Sequence, residues 1–352
     1  MTDVLVHSGP SNEWDEYVEN HPEGRFSQLF GYRYIERVYG YKPHYLMFRS
    51  GGKTVGVLPC FEARSALFGR RLLSQPFSEY GGFLLNQDLA DDERRGVVDS
   101  AWKFLESQRL EVLETHGNYG MSAPDPRLHL GNRQQLAFLE LDERVDHVFE
   151  KVISRHVRKA IRKAERSGLR SVEQSDEQTI TTHFYPLYVR SMQRLGSPPH
   201  SLEFFLECSR ALKNKMRIFW AWHEDKPIAG LLGFSCGRRV SIINIVSDER
   251  YWDLRPNDLV HWEYIKWACE NGYRYFDFGS VRYDGQAQFK EKWGCLLRDS
   301  GYYFLTTKSG AKFESFDSSS GAMTLASKVW AKYVPRPVAK AIGPVLRKHL
   351  LR

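Results

Sequence analysis

The sequence predicts an α/β (α+β) protein made of two similar domains, each a mixed, mostly antiparallel sheet flanked by helices. Three observations carry that expectation. Residues 240–278 read as strand, loop, capped helix and second strand. A similar order of strands and helices occurs in the first half of the chain. Finally, 352 residues with 42% hydrophobic and 14% aromatic content suffice for two packed cores.

In chain order, Val4–His7 is a short strand and Glu13–Glu19 a short helix. Gln28–Tyr39 reads as a second helix, with Leu29, Tyr32, Ile35 and Val38 on one side. Strands follow at His44–Arg49, Thr54–Ala63 and Arg71–Gln75, the first two joined by Gly51-Gly52. Asp91–Gln108 is a helix and Leu110–Glu114 a strand; Pro124, Pro126 and Gly131 then break the chain before Gln135–Leu141. These bounds divide the chain into residues 1–140, 141–310 and a tail, 311–352.

Ser154–Ser167 is a basic helix. Arg155, Arg158, Lys159, Arg162, Lys163 and Arg166 recur at steps of three and four, opposite Val157, Ala160, Ile161 and Ala164. The stripe is either an ordinary solvated face or a surface for phosphates, where Arg158, Arg162 and Lys163 are the candidates. Phe184–Pro199 is a helix ended by a Leu-Gly-Ser-Pro-Pro turn. There Tyr188 belongs to the core or to a pocket, and Gly196 and Ser197 are small enough for a loop that approaches a ligand. Met216–His223, Pro227–Cys236 and Val240–Ser247 form an antiparallel meander.

After that meander, Asn257 or Asp258 is the expected N-cap of a helix through Leu259, Trp262, Ile265 and Cys269. Asn271-Gly272 ends it, and Tyr273–Phe278 is a strand parallel to the one before the helix. Such a unit leaves backbone N–H groups at the helix start, where a pyrophosphate is held in many proteins.

Several chemistries have no support. The five cysteines are scattered, with no C-x-x-C pair, so neither a disulfide framework nor a zinc site is expected. The histidines show no metal spacing, and no metal is expected. No G-x-S-x-G is present. The first residues carry no basic region followed by an apolar run, and no window approaches a membrane span, so a cytoplasmic protein is expected.

The order strand, loop, helix, strand resembles the acyl-CoA-binding core of the GNAT N-acyltransferase fold. YFDFG followed by GQAQFKEKWG resembles the FemAB branch of that superfamily. So do PFSEYGG at 76–82, HVRKAIRKAERSGL at 156–169 and FYPLYVRSMQRLGSPP at 184–199, which are similar to FemAB-like proteins that accompany exosortase and exopolysaccharide systems. The resemblance covers roughly residues 20–310. It implies tandem GNAT-like domains that acylate amino groups, with acyl-CoA or aminoacyl-tRNA as donor. The acceptor it implies is a phosphorylated or lipid-linked amine of a cell-envelope or polysaccharide precursor. One departure is plain: the Gly-rich loop of CoA-using relatives is replaced by Leu254-Arg255-Pro256-Asn257-Asp258. Backbone at Asn257, Asp258 and Leu259 with the charge of Arg255 remains the candidate donor site.

Amide formation from an activated acyl group needs a neutral amine, a stabilised oxyanion and a route for the proton, but no dedicated nucleophile. Lys290 matches the lysine of the FemAB-like F-K motif and is the first candidate; the ordinary alternative is a surface lysine in a short helix. Asp277 ends the second strand, either as a ligand group or as a cap for Gly279-Ser280. Glu79 and Tyr80 are a weaker substrate pair. The rival functions are an acyl-CoA-dependent acyltransferase on a small amine or amino acid, and an idle GNAT-like scaffold that binds RNA or anionic lipid.

The tail has no acidic residue after Asp317 but seven cations, Lys328, Lys332, Arg336, Lys340, Arg347, Lys348 and Arg352. Trp330, Val334, Val338, Ile342 and Leu346 recur every fourth residue, and Pro335, Pro337 and Pro344 divide the pattern into short helical pieces. The segment either lies peripherally on an anionic membrane surface or docks on the protein.

Overall fold

A computed structural model describes residues 2–7, 9–120, 125–308 and 321–351. It divides into two units. Pro124 and Asp317 lie outside the described residues.

The first unit comprises Met1–Gln134, Asp299–Ser318 and Val345–Arg352. Its elements are β1 (Thr2–His7), α1 (Asn12–Asn20), α2 (Tyr34–Tyr39), β2 (Lys42–Ser50), β3 (Lys53–Ser65), β4 (Gly69–Leu73), β5 (Leu84–Leu85), α3 (Asp91–Ser107) and β6 (Val112–His116). Residues 128–134 begin β7 (Leu128–Glu140). The second unit comprises Gln135–Arg298 and Ser319–Pro344. Its elements are α4 (Val145–His147), α5 (Arg155–Arg166), β8 (Leu169–Glu173), α6 (Glu177–Thr179), α7 (Tyr185–Arg194), α8 (Leu202–Ala211), β9 (Met216–His223), β10 (Lys226–Cys236), β11 (Arg239–Ser247), α9 (Pro256–Glu270), β12 (Tyr275–Val281) and α10 (Asp284–Lys292). β13 (Leu296–Thr306), α11 (Gly321–Tyr333) and α12 (Arg336–Leu350) complete the chain.

The two units repeat one sheet. In the first, the strand order is β1-β2-β3-β4-β6-β13; in the second it is β8-β9-β10-β11-β12-β7. Every corresponding pair has the same sense. The first three pairings are antiparallel in both. β4 with β6 and β11 with β12 are parallel, each joined through a helix, α3 or α9. The sixth strand is antiparallel in both, β13 against β6 and β7 against β12. A repeated order and sense over six strands is the mark of duplication.

Each sheet is covered by its crossover helix. In the second unit Leu259, Val260, Tyr264, Ile265 and Ala268 of α9 pack with Phe219, Ile228, Leu231, Val240 and Phe276 of the strands. In the first, Val97, Val98, Ala101 and Leu105 of α3 pack with Leu46, Leu58, Leu72 and Leu113. At ~25 cal/mol per Å² of apolar surface, each fully buried side chain contributes about 1.5–3 kcal/mol, so these helices are fixed by burial rather than propensity.

Several boundaries differ from expectation. In place of the helix expected over Gln28–Tyr39, residues 26–39 form two 3₁₀ turns, Phe26–Gln28 and Phe30–Arg33, followed only then by α2. Phe26, Leu29, Phe30, Tyr32, Tyr34 and Ile35 are all buried, so apolar groups point in every direction and no single helical face exists. β4 stops at Leu73, because Gln75 turns into the left-handed region (φ 51). α9 begins at Pro256, its N-cap being Arg255 with φ 64. Pro344 lies inside α12 instead of breaking it.

Candidate active site

β11 and β12 touch only at their beginnings. Their pairing consists of Arg239 with Tyr275, Val240 with Phe276 and Ser241 with Asp277. β11 then stays with β10 as far as Ser247, while β12 stays with β7 as far as Val281. Beyond Ser241 and Asp277 the strands therefore part, which opens a wedge between Ile242–Ser247 and Phe278–Val281. Backbone groups facing a wedge need a partner from outside the ladder. β11 is also bulged: Ile242 faces Gly233 and Asn244 faces Leu232, so Ile243 stands out of register. Ile243 and Ile245 are 39% and 38% exposed on an interior strand.

Across the wedge, β12 has its own bulge. Asp277 faces Phe138 and Gly279 faces Ala137, leaving Phe278 as the extra residue. Gly279 takes φ 73, which a side chain disfavours. The Asp277 Oδ1 accepts the Gly279 N–H at 2.8 Å, and the Lys290 Nζ donates to the carbonyls of Gly279 (3.0 Å) and Ser280 (2.7 Å). Both side chains are buried, at 2% and 6% exposure. Lys290 is thus no surface lysine: its ammonium holds the strand end, where Asp277 also caps the Gly279 N–H.

His261, on α9, ties these parts together. Its Nδ1 bonds the Asn257 carbonyl at 2.7 Å, and its ring stacks on Phe278 at 5.4 Å with Trp293 at 5.5 Å. Burial, reinforced by the Lys290 charge, pushes its pKa down to about 4, so it is neutral near pH 7. Burial likewise raises the Cys295 thiol.

The start of α9 differs from a phosphate cradle. Pro256 at the first helical position has no N–H to offer. Asp258 is buried, and its carboxylate takes the Arg255 Nε at 3.0 Å. Burial raises its pKa, while Arg255, His156 and its own backbone N–H pull the other way. The positive end of the helix already holds a carboxylate. Leu259 is core, its N–H bonded to the Arg255 carbonyl at 3.4 Å. Of the four candidate donor contacts, Asn257 alone keeps a buried side-chain oxygen, Oδ1, without a hydrogen-bond partner.

α5 adjoins this site. Its N-cap Ser154 donates its backbone N–H to Lys292 O at 2.9 Å. Arg158 donates to the carbonyls of Phe149, Glu150 and Ile153 and so closes the preceding turn. Arg162 pairs with Glu150 at 3.3 Å and lies over the Phe149 ring. Lys163 is exposed.

Tyr188 is core, packed with Phe184 and Phe205, and its hydroxyl accepts the His200 N–H at 3.1 Å. Gly196 and Ser197 close α7: the Gly196 N–H bonds Gln193 O and the Ser197 N–H bonds Met192 O. A Cβ on Gly196 would lie 2.4 Å from the Ser327 carbonyl oxygen, so this turn approaches α11 closely.

Glu79 and Tyr80 belong to the first unit. There β4 and β6 pair only at Leu72–Leu113 and Leu73–Glu114, and the Ser74–Gly82 loop follows. Tyr80 is buried under the Arg25 guanidinium at 4.6 Å. Ser27 and Gln28 hold the loop through Tyr80 O and Gly82 O. The position that is a wedge in the second unit is filled by buried loop side chains in the first.

Among the described residues no group of three or more His, Cys, Asp or Glu side chains is arranged to hold a metal. All five cysteines are buried.

Residues 153–291 match the family model of the acetyltransferase (GNAT) domain. The match covers a GNAT-type acyltransferase domain within the second unit, and the two units together share the fold of a tandem GNAT protein. The chain resembles FemX at 15% identity over 86% of this chain and 97% of that one, with a TM-score of 0.69. It also resembles the C-terminal domain of a putative lysylphosphatidylglycerol synthetase from Agrobacterium fabrum, at 11% identity, 90% and 95% coverage and TM-score 0.56. A tandem GNAT protein of the clavulanic acid pathway superposes with TM-score 0.51, at 10% identity, over 88% of this chain and all of that one. No curated protein matches the sequence.

Proposed function

We propose that this chain is an N-acyltransferase that moves an acyl or aminoacyl group from an activated donor to an amine on a cell-envelope or polysaccharide precursor. The observation that carries it is the wedge between β11 and β12, with the Ile243 bulge on one wall and the fixed Asp277–Gly279–Ser280 end on the other. The amine nitrogen attacks the acyl carbonyl, and the new oxyanion accepts a backbone N–H from the bulge. On collapse the C–S or C–O bond to the donor's leaving group breaks, that group taking up the proton the nitrogen loses. Lys290 and Asp277 are positioning residues that hold the wall. The FemX-like and lysylphosphatidylglycerol-synthetase-like folds support an acceptor on a lipid-linked or envelope precursor, and the FemAB-like sequence stretches favour a polysaccharide system.

The GNAT class implies acyl-CoA as donor. The α9 start does not fit its pyrophosphate, because Asp258 holds that place and Pro256 lacks the N–H. Aminoacyl-tRNA is therefore the preferred donor, and acylation of a small amine by acyl-CoA the second reading, favoured by the family match alone.

The test is mass-spectrometric detection of acylated amines after incubation with aminoacyl-tRNA or acyl-CoA and a panel of envelope-precursor amines. One donor to a developing oxyanion is typically worth about 10²–10³ in rate. Ile243→Pro, which removes the bulge N–H, is expected to lose that factor while Ile243→Ala retains most turnover. Full turnover in Ile243→Pro would overturn the bulge as oxyanion donor, and absence of product with every donor and amine would overturn the enzyme.

A further inference from the structure

α11 carries an apolar row that no described residue of its unit covers. Leu325, Val329 and Tyr333 follow at four-residue steps and are 64%, 47% and 66% exposed. The side next to this row is docked: Trp330 is buried, the Ser327 backbone sits over Gly196, and the Gln193 amide donates to the Val334 carbonyl. The helix is thus anchored in one orientation with its apolar row outward. Lys328 and Lys332, both exposed, each precede a member of the row by one position and so stand beside it. α12 repeats the pairing: Val338 and Ile342 are exposed four residues apart, while Ala339 is buried and Gly343 sits where a Cβ would lie 2.4 Å from Pro199 Cδ.

We propose that this face rests on an anionic lipid surface. Leu325, Val329 and Tyr333 would enter the boundary between headgroups and acyl chains, and Lys328 and Lys332 would reach the lipid phosphates along their extended stems. Charge decides between occupants. From residue 318 onward the chain has no Asp or Glu, so a second copy would set lysine against lysine. A nucleic acid would use the cations and leave the aliphatic row in water. A bilayer interface alone uses both. Among the described residues no helix is long and apolar enough to cross a membrane, which leaves attachment in the plane of the surface. The inference is independent of the reaction proposed above.

The experiment is cosedimentation of the full chain with phosphatidylcholine vesicles, with and without phosphatidylglycerol, at low and high salt. Binding is expected only with phosphatidylglycerol and should weaken as salt rises. Val329→Glu and Leu325→Glu should each weaken it at least about tenfold, the scale of moving a charge to the interface or losing one aliphatic anchor. Lys328→Ser with Lys332→Ser should weaken it by about tenfold or more and flatten the salt response. These side chains are exposed, so melting temperature should hold, and the lipid comparison on the unaltered chain needs no variant. Equal binding to both vesicle types, undiminished binding by Val329→Glu, or self-association without lipid that Val329→Glu abolishes would each overturn the proposal.

Discussion

Lys290 shows how one residue can stand out in the sequence while its surroundings do not. The F-K pattern singled it out, yet its burial depends on two carbonyls from Gly279 and Ser280, supplied by a turn about ten residues earlier. No local pattern reveals that, since Glu291 and Lys292 beside it are ordinary exposed charges. Removing a buried donor orphans its acceptors at about 1–3 kcal/mol each. Lys290→Ala should accordingly lower melting temperature and turnover together, whereas loss of turnover at unchanged stability would mean its ammonium acts on the reacting atoms. His261 supplies a second residue-level expectation. Its folded pKa of about 4 lies below the ordinary value of 6.5, so between those values the unfolded chain binds more protons. Stability should fall as pH drops from 6.5 toward 4, by roughly 3 kcal/mol at most from this group. His261→Gln should flatten the slope in denaturant titrations over that window; an identical slope would show that the buried imidazole is not its source.

At the scale of elements, the strand–helix–strand order is readable because a β-branched run, a helix-length segment and an Asn271-Gly272 stop follow one another before the next aromatic run. The wedge was not. VSIINIVS looks uniform, and only pairing with β10 makes Ile243 the extra residue. The helix start was placed late because Asn257 and Asp258 are good capping residues, whereas the readable signal was Pro256 at the first helical position. Asp258 in turn yields a test of donor choice. Calorimetry should find weak or no CoA binding to the unaltered chain and tighter binding to Asp258→Asn, which removes the resident charge from the helix start. Tight CoA binding that Asp258→Asn leaves unchanged would return acyl-CoA to first place as donor.

For the whole molecule, duplication was legible in the order of elements, but the owner of each sixth strand was not, because strands such as β13 carry no label of their sheet. β13 follows α10 in sequence yet completes the first unit, while β7 precedes α4 and completes the second. A fragment ending at residue 140 should therefore lack the edge that covers β6 and fail to give a cooperative melt. A sharp, reversible transition in that fragment would show β13 to be dispensable. The same threading imposes an order on synthesis. A ribosome that has released residues up to 298 has delivered all six strands of the second sheet, but the first still waits for Tyr302–Thr306. The half of the protein made first is the half finished last, so until residues 302–306 emerge β6 remains an open edge, exposed to chaperones and to mispairing with neighbouring nascent chains.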